Sequence, residues 1–352
     1  MSCNKRQSNN PSLTLKSRKL YFHQPNPTPL IISSRFRTLI CRSPFAVSCV
    51  NRTHRLSAMT DHQLTPPQIF IVNVWSDNLE EQFKEIKKIV KDYPLIAMDT
   101  EFPGVVFKPP PVELYNKSIQ EQQYKTVACN VDRLKVIQVG FALMNDAGEL
   151  PDNRVWQFNF HFDLDLDANA KASIDLLKSC NIEFEHHKTR GIRMSDFGSL
   201  LTTSGLVCTE DVTWITYHSS YDFAYVLRTM ILKPLPLQEV EFVVLVKDLF
   251  PVTFDVKLIA EQCAFDRRIL EVRTGGLQKL ASIVHVPRYG TQHQAGSDAL
   301  LTGQTYLAIK RRCIKVGEPQ GQREWESIQQ DVVNNMYGLA KIPTICQTLL
   351  YL

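Results

Sequence analysis

Apolar and polar residues alternate in short segments from Ile69 onward, and their spacing predicts the first elements of a fold. Ile69–Val74 is predicted to be a strand. Asp77 is a candidate N-cap for the helix that follows. That helix is predicted to be amphipathic because four apolar residues recur at helical spacing: Phe83, Ile86, Ile89 and Val90. Leu95–Met98 follows Pro94 as a short apolar run and predicts a buried strand.

Two more strands and a series of helices are predicted further along. Residues 135–143 (KVIQVGFAL) and 155–160 (VWQFNF) indicate strands, and we expect hairpin-length connections between these and the strand at Leu95–Met98. Helices dominate from residue 173 onward, with one further short strand at Trp214–Tyr217. The predicted helices are 115–127, 173–180, 194–203, 223–232, 239–249, 277–284 and a long one that residues 291–298 open and that ends at about 312. This order predicts an α/β fold with a mixed central sheet flanked by helices.

Composition limits the class of protein further. The chain has 352 residues, of which 44% are hydrophobic, so it can bury a full core. No apolar run approaches the roughly 18 residues of a membrane-spanning helix. The nine Cys are scattered without a CxxC pair or a Cys/His cluster at zinc spacing. This pattern indicates reduced thiols and argues against a disulfide framework or a structural zinc site.

The charge is distributed unevenly along the chain. Residues 1–60 contain ten Lys or Arg and no Asp or Glu, whereas the remainder has 30 basic and 36 acidic residues. The basic segment fits an organelle transit peptide, a disordered extension, or a gene-model extension upstream of a start at Met59. The rest of the chain is mildly acidic, so any binding of RNA has to come from local basic patches or from metal ions. We therefore expect an extension at 1–60, a folded domain at 61–315 and a tail at 316–352.

Four carboxylates stand at the ends of predicted elements. Asp99 and Glu101 end the strand that begins at Leu95, and positions i and i+2 share a face of an extended chain. Asp222 opens a helix after another strand, and Asp298 lies in the first turns of the late helix. Each residue alone is more commonly a cap or an exposed charge. Together, the three segments predict one shared acidic site.

Such a site requires a counter-ion, because two charges about 4 Å apart repel by roughly 4 kcal/mol at an effective dielectric near 20. Oxygen ligands favour hard divalent cations such as Mg²⁺ or Mn²⁺. Two such ions about 3.5–4 Å apart can clamp the attacking and leaving oxygens of a phosphodiester. His293, five residues before Asp298, is the candidate general base for the attacking water. Ordinary structural roles are expected for His161, His186, His187 and His218.

In this order, the three segments resemble the exonuclease motifs of the histidine-containing branch of the DEDD superfamily, which implies a ribonuclease H-like fold. Further segments narrow the resemblance to the Caf-one (Pop-two) family of deadenylases, the nuclease subunits of the Ccr–Not complex. The resemblance covers about residues 69–312, and WSDNLEEQF near Trp75 resembles plant members. The segments that carry it are AMDTEFPGVV, CNVDRLKVIQVGF, WQFNF, SIDLLKSCNIEF, YHSSYDFAYVL, GGLQKLA and QHQAGSDALLTG.

The resemblance implies a function and a set of partners. It implies hydrolysis of poly(A) tails from the 3′ end with release of 5′-AMP. The implied partners are poly(A) RNA, the Not scaffold subunit and a Ccr-type deadenylase, with no membrane partner and no homo-oligomer. The protein is then expected in cytoplasm and nucleus, or in an organelle if residues 1–60 act as a transit peptide. The implied ligands of two divalent metal ions are Asp99, Glu101, Asp222 and Asp298, with His293 as general base.

Three departures from the family pattern accompany this resemblance. Ser220 stands where the family usually has Gly, Thr291 stands where it commonly has Pro, and Phe265–Arg273 looks like added sequence. Phe102 is a candidate for stacking on adenine. Two other functions stay open: a scaffold subunit whose own activity is dispensable, and a DEDD exonuclease that acts on other RNA or on DNA. The complete set of four carboxylates and a histidine favours the enzyme.

Overall fold

A computed structural model describes residues 68–263, 275–315 and 320–341. The predicted extension at 1–60, the added sequence at Phe265–Arg273 and the end of the tail from Ile342 to Leu352 lie outside the described residues. Among the described helices, none combines the length and apolar character needed to cross a membrane.

One mixed sheet organises the described residues, in the spatial order β1-β4-β3-β2-β5-β6. Neighbouring strands are antiparallel at β2–β3 and β3–β4 and parallel at β1–β4, β2–β5 and β5–β6. The ribonuclease H-like α/β fold expected from the sequence is therefore confirmed. The strands are β1 (Phe70–Val74), β2 (Leu95–Glu101), β3 (Gln138–Met144), β4 (Arg154–Asn159), β5 (Thr213–Thr216) and β6 (Val252–Asp255).

Helices cover both faces of the sheet. Those on the first face are α1 (Leu79–Ile89), α3 (Ile119–Val131), α6 (Met194–Thr203), α7 (Ser220–Ile231) and α8 (Glu239–Leu249), and α2 (Pro111–Leu114) precedes α3. A smaller cluster involves α4 (Lys171–Ser179) and α5 (Phe184–Arg190). Those on the second face are α9 (Val256–Gln262), α10 (Leu277–Ile283), α11 (Ala295–Lys315) and α12 (Gln320–Val332).

Three local predictions differ from the structure. The connection from β2 to β3 contains α2 and α3 and is not of hairpin length, although the two strands pair directly. Asp77 does not cap α1: Asn78 occupies the N-cap position, and Asp77 instead pairs with Arg190 at 2.9 Å. The predicted polar helix starts only at Ile119, because Ser118 and Glu121 form a capping box there.

Alternation along β2 decides which layer each side chain joins. Ile96 and Met98 belong to the core on the first face, whereas Leu95 and Ala97 belong to the core on the second face. The same period places Asp99 and Glu101 on the second face, beneath α11, and Thr100 on the first, toward α7. The carboxylates of β2 therefore meet those of two helices that lie on opposite sides of the sheet.

Helix α11 lies unusually close to the sheet. A Cβ on Gly140 of β3 would come within 2.0 Å of the Ala295 carbonyl oxygen, and a Cβ on Gly303 would come within 2.0 Å of Met144 Cε. Only glycine permits this approach at both positions. The start of α11 is consequently held against the strands that carry the acidic pair. In the C-terminal region, Trp325 of α12 is buried in the same layer.

Candidate active site

The end of β2 and the loop before α11 bring three predicted residues together. Asp298 lies in the first turn of α11, and its Oδ2 accepts a hydrogen bond from the His293 backbone N–H at 2.8 Å. His293 has a φ of +59°, a left-handed backbone that the hydrogen bond helps to hold. Its Nδ1 lies 4.0 Å from Glu101 Oε1. Side-chain ligand atoms of Glu101, His293 and Asp298 all lie within 4.8 Å of one another.

Asp222 reaches the same place from the first face of the sheet. It lies in the first turn of α7 and accepts a hydrogen bond from Thr100 Oγ1 at 2.6 Å. Thr100 lies between Asp99 and Glu101 in the sequence, so this hydrogen bond connects the segment of Asp222 to the strand that carries the acidic pair. Asp99 interacts electrostatically with Asp298, Asp222 and Glu101, so the five residues predicted from the sequence converge from three segments.

Burial and mutual repulsion make it energetically unfavourable for all of these carboxylates to be ionised at once. Glu101, Asp222 and Asp298 are buried, while Asp99 is partly exposed. Burial, reinforced by Asp298 and Asp222, raises the pKa values of Asp99 and Glu101 well above the usual range. Burial also raises the pKa of Asp222 to about 7, against the lowering effect of the Thr100 hydrogen bond. The group is therefore stabilised by any positive charge placed among its carboxylates.

Arg288 provides one such charge, and the sequence analysis missed it. Its Nη2 lies 2.7 Å from Asp298 Oδ1, and both side chains are largely buried. Its other nitrogens donate to Ser297 Oγ at 3.0 Å and to Gln278 Oε1 at 2.5 Å. An arginine on a loop five residues before His293 has no spacing signal that marks it. Only the fold shows that it faces the acidic cluster.

Two glutamines of the sheet, also missed, hold the start of α11. Gln138 Oε1 accepts from the Ala295 N–H at 3.2 Å, and Gln157 Oε1 accepts from the Gly296 N–H at 3.1 Å. Both side-chain amides also donate to Gln294 Oε1, at 3.2 and 2.8 Å. The first N–H groups of a helix have no partner within the helix, so these contacts fix its position. The sequence signal that could have identified these two glutamines is that each is a polar residue in the middle of a predicted apolar strand.

The remaining residues singled out earlier have clear positions. Phe102 stacks on Tyr221 with ring centroids 4.8 Å apart, and both rings are partly buried. Ser220 starts α7 and is buried, whereas Thr291 is exposed on the loop before His293. His187 is buried and bonds the Phe160 carbonyl oxygen at 2.8 Å, in keeping with a structural role.

This donor set fits hard divalent cations. It offers several carboxylate oxygens and one imidazole in a small space, and Arg288 balances only part of the negative charge. The ribonuclease H-like sheet is that of the DEDD-type exonucleases.

Comparison with known proteins narrows that class. The model of the CAF1 family ribonucleases matches residues 74–196 and 195–306. The chain belongs to the CAF1 ribonuclease family, which confirms the resemblance found in its motifs.

The relatives cover most of the chain. It is 42% identical over 276 residues to the CCR4-NOT transcription complex subunit 7 of Caenorhabditis elegans, covering 78% of this chain and 84% of that protein. It is 41% identical over 276 residues to the poly(A) ribonuclease pop2 of Schizosaccharomyces pombe, covering 78% and 76%.

Two solved structures are also similar. The structure of S. pombe Pop2p in its Mg²⁺- and Mn²⁺-bound form matches with a TM-score of 0.68 and 41% identity, covering 76% of this chain and 99% of that one. The structure of yeast NOT1 MIF4G domain co-crystallised with CAF1 matches with a TM-score of 0.62 and 27% identity, covering 78% and 99%.

Proposed function

We propose that this protein is a metal-dependent 3′–5′ exoribonuclease that shortens the poly(A) tails of mRNA and releases 5′-AMP. One observation carries the proposal: four carboxylates and a histidine from three distant segments converge in a chain of the CAF1 ribonuclease family. The relative named poly(A) ribonuclease supports the choice of substrate. A protein that only joins other subunits has no need of such a mutually repelling cluster.

Asp99, Glu101, Asp222 and Asp298 would hold two divalent cations, Mg²⁺ or Mn²⁺. The Pop2p structure determined with both metals supports this choice. When bound, the cations supply Lewis-acid stabilisation of the charge that develops on the phosphodiester oxygens. Asp298 is kept in one orientation by the His293 N–H and Arg288, and Asp222 by Thr100. The protein thereby fixes the directions of its oxygens before substrate arrives.

His293 would accept the proton of the attacking water at its imidazole. Histidine is the side chain that most often serves as a general base. The imidazolium that forms would lie close to Glu101, because Nδ1 is already 4.0 Å from Oε1 of that carboxylate.

The proposed partners are poly(A) RNA, a Not scaffold and a Ccr-type deadenylase, with activity in cytoplasm and nucleus. The similarity to CAF1 co-crystallised with the NOT1 MIF4G domain supports the scaffold. The relative named as a subunit of the CCR4-NOT transcription complex supports membership in such an assembly.

The decisive experiment uses the purified full chain and 5′-labelled RNA with a 3′ oligo(A) tail. With Mg²⁺ or Mn²⁺ we expect stepwise shortening and 5′-AMP, and with EDTA no reaction. Asp99→Ala should remain folded and inactive. The matched control Asp175→Ala removes an exposed carboxylate that pairs with Lys171 at 2.9 Å, and it should stay active.

Substrate choice is tested in the same assay by exchanging the tail. Oligo(A) should disappear faster than oligo(C) or oligo(U). Equal rates would contradict poly(A) selectivity and favour an exonuclease of broader range. No shortening by folded protein with either metal would contradict the enzymatic function and favour the scaffold.

A further inference from the structure

Asp255 is a buried carboxylate on which several polar groups converge. It ends β6, is 1% exposed, and lies outside the predicted set of site residues. Its Oδ1 accepts from the backbone N–H groups of His218 at 2.9 Å and Lys257 at 3.0 Å. Its Oδ2 accepts from the Ser219 N–H at 3.0 Å, the Ser219 hydroxyl at 2.8 Å and the Tyr337 N–H at 3.0 Å. Both oxygens are thus committed to donors from three segments.

The first of these segments is the turn that leads into the helix of Asp222. His218 has a φ of +64°, a left-handed conformation that a non-glycine residue rarely adopts. Three of the five hydrogen bonds to Asp255 hold His218 and Ser219, and α7 begins at the next residue. Because a helix is rigid over its first turn, the entry of α7 sets where the Asp222 side chain starts.

Residues 333–341, here named the C-terminal brace, pack against the turn at His218 and Ser219. Its Tyr337 donates to Asp255 through the backbone and packs edge-on against the His218 ring, with centroids 4.8 Å apart. The Lys257 amino group lies 3.9 Å from the centre of the Tyr337 ring. Asp255 therefore joins β6, the turn and the brace at one point.

We propose that Asp255 is a positioning residue for the metal-binding carboxylate of Asp222, acting through the turn at His218 and Ser219. The inference rests on the metal-dependent activity proposed above. An asparagine has the same shape but replaces one acceptor oxygen by an NH₂ group. Whichever way it is oriented, at least two N–H donors then face another donor. The turn must relax, and Asp222 moves with it.

The test is Mn²⁺ binding by the purified full chain, measured by calorimetry without RNA. For Asp255→Asn we expect the dissociation constant for Mn²⁺ to rise about 10- to 100-fold, as is usual when a group that orients a ligand is changed. In the oligo(A) assay we expect kcat to fall more than KM rises. Circular dichroism checks that the variant is folded.

A second, milder variant keeps the proposal testable if Asp255→Asn does not fold. Ser219→Ala removes only the hydroxyl bond to Asp255 and should raise the Mn²⁺ dissociation constant about two- to five-fold, as expected for the loss of one hydrogen bond.

The matched control is Asn334→Ala. Asn334 ties the brace to β6, because its Oδ1 accepts from the Thr253 N–H at 2.9 Å and its Nδ2 donates to the Pro251 carbonyl oxygen at 2.8 Å. Within the described part of the chain, its side chain forms no hydrogen bond with His218 or Ser219. This variant loosens the brace and should leave Mn²⁺ binding unchanged. Equal losses in Asn334→Ala and Asp255→Asn would overturn the proposal, because docking of the brace alone would then explain both. Wild-type Mn²⁺ affinity in folded Asp255→Asn or Ser219→Ala would also overturn it.

The inference and the proposed function fail in distinguishable ways. Weaker Mn²⁺ binding in Asp255→Asn supports the positioning role even if the wild-type chain leaves oligo(A) intact, a result that would count against the proposed enzymatic function and not against the positioning of Asp222.

Discussion

Replacing Arg288 by Met tests whether this side chain serves as the built-in counter-ion of the acidic site. The guanidinium pairs with Asp298 at 2.7 Å, and the two side chains are 14% and 10% exposed. Solvent therefore screens the pair only weakly. Methionine keeps much of the apolar stem but leaves the carboxylates without this positive charge.

The expected size follows from the burial of the pair. Removing one partner of a buried ion pair typically costs about 3–5 kcal/mol, because the other charge stays buried and uncompensated. In a domain of this size, 1 kcal/mol lowers the melting temperature by about 2–4 °C. We therefore expect Arg288→Met to melt about 10 °C below the wild type in EDTA. A divalent cation at about 100 times its dissociation constant stabilises a folded protein by about 2.7 kcal/mol. The variant gains more than the wild type at the same cation concentration, because its site has one positive charge fewer and binds the cation more tightly.

The assay is thermal unfolding followed by circular dichroism, in EDTA and in saturating Mn²⁺. The gap between wild type and Arg288→Met should narrow in Mn²⁺, because the cation supplies the missing charge. The control is Arg154→Met, which breaks ion pairs of 2.9 Å with Glu85 and Asp152 away from the site. The decrease in melting temperature of Arg154→Met should be the same in EDTA and in Mn²⁺. A gap for Arg288→Met that stays constant or widens in Mn²⁺ would refute the counter-ion argument.

Two further predictions concern histidines. His293→Ala should slow oligo(A) shortening far more than it weakens Mn²⁺ binding measured by calorimetry, and a matching loss of metal affinity would instead make His293 a ligand. Burial lowers the pKa of His187 to about 4, so the folded state keeps it neutral while the unfolded state takes up a proton below about pH 6.5. Its contribution to stability is thus complete above that pH and is lost as the pH falls toward 4, by about 2 kcal/mol at pH 5. Urea unfolding at pH 7 and pH 5 should show a smaller acid loss in His187→Gln than in the wild type, and equal losses would contradict the assignment.

Much of the fold follows from local patterns that tertiary contacts reinforce. The predicted helices Met194–Thr203 and Glu239–Leu249 match the observed bounds, because their apolar spacing coincides with the face they bury. The region from Phe254 to Ile259 divides into the end of β6 and the start of α9. Its apolar residues show neither a strand nor a helix period, because the helix follows the strand directly and Asp255, the last strand residue, also caps the helix by accepting from the Lys257 N–H.

The pairing of β2 with β3 could not be predicted together with its connection from local sequence patterns. The residues of each strand were recognised, but their connection was not, because α2 and α3 lie between strands that pair directly in space. Sequence distance carries little information about such a pairing. The position of Arg288 has the same cause, since its neighbours on α10 and α11 are set by packing of the second layer.

The sequence by itself determined which side chains are the candidates for chemistry. The spacing of Asp99 and Glu101 on one strand face, and that of His293 before Asp298, are properties of the local chain. Tertiary structure alone decided what surrounds them: the charge of Arg288, the glutamines that hold the start of α11, and the buried Asp255 beneath the turn to Asp222. The physical reason is that a backbone period fixes the direction of a side chain relative to its own element. Which distant groups meet that side chain depends on how the layers pack on the two faces of the sheet.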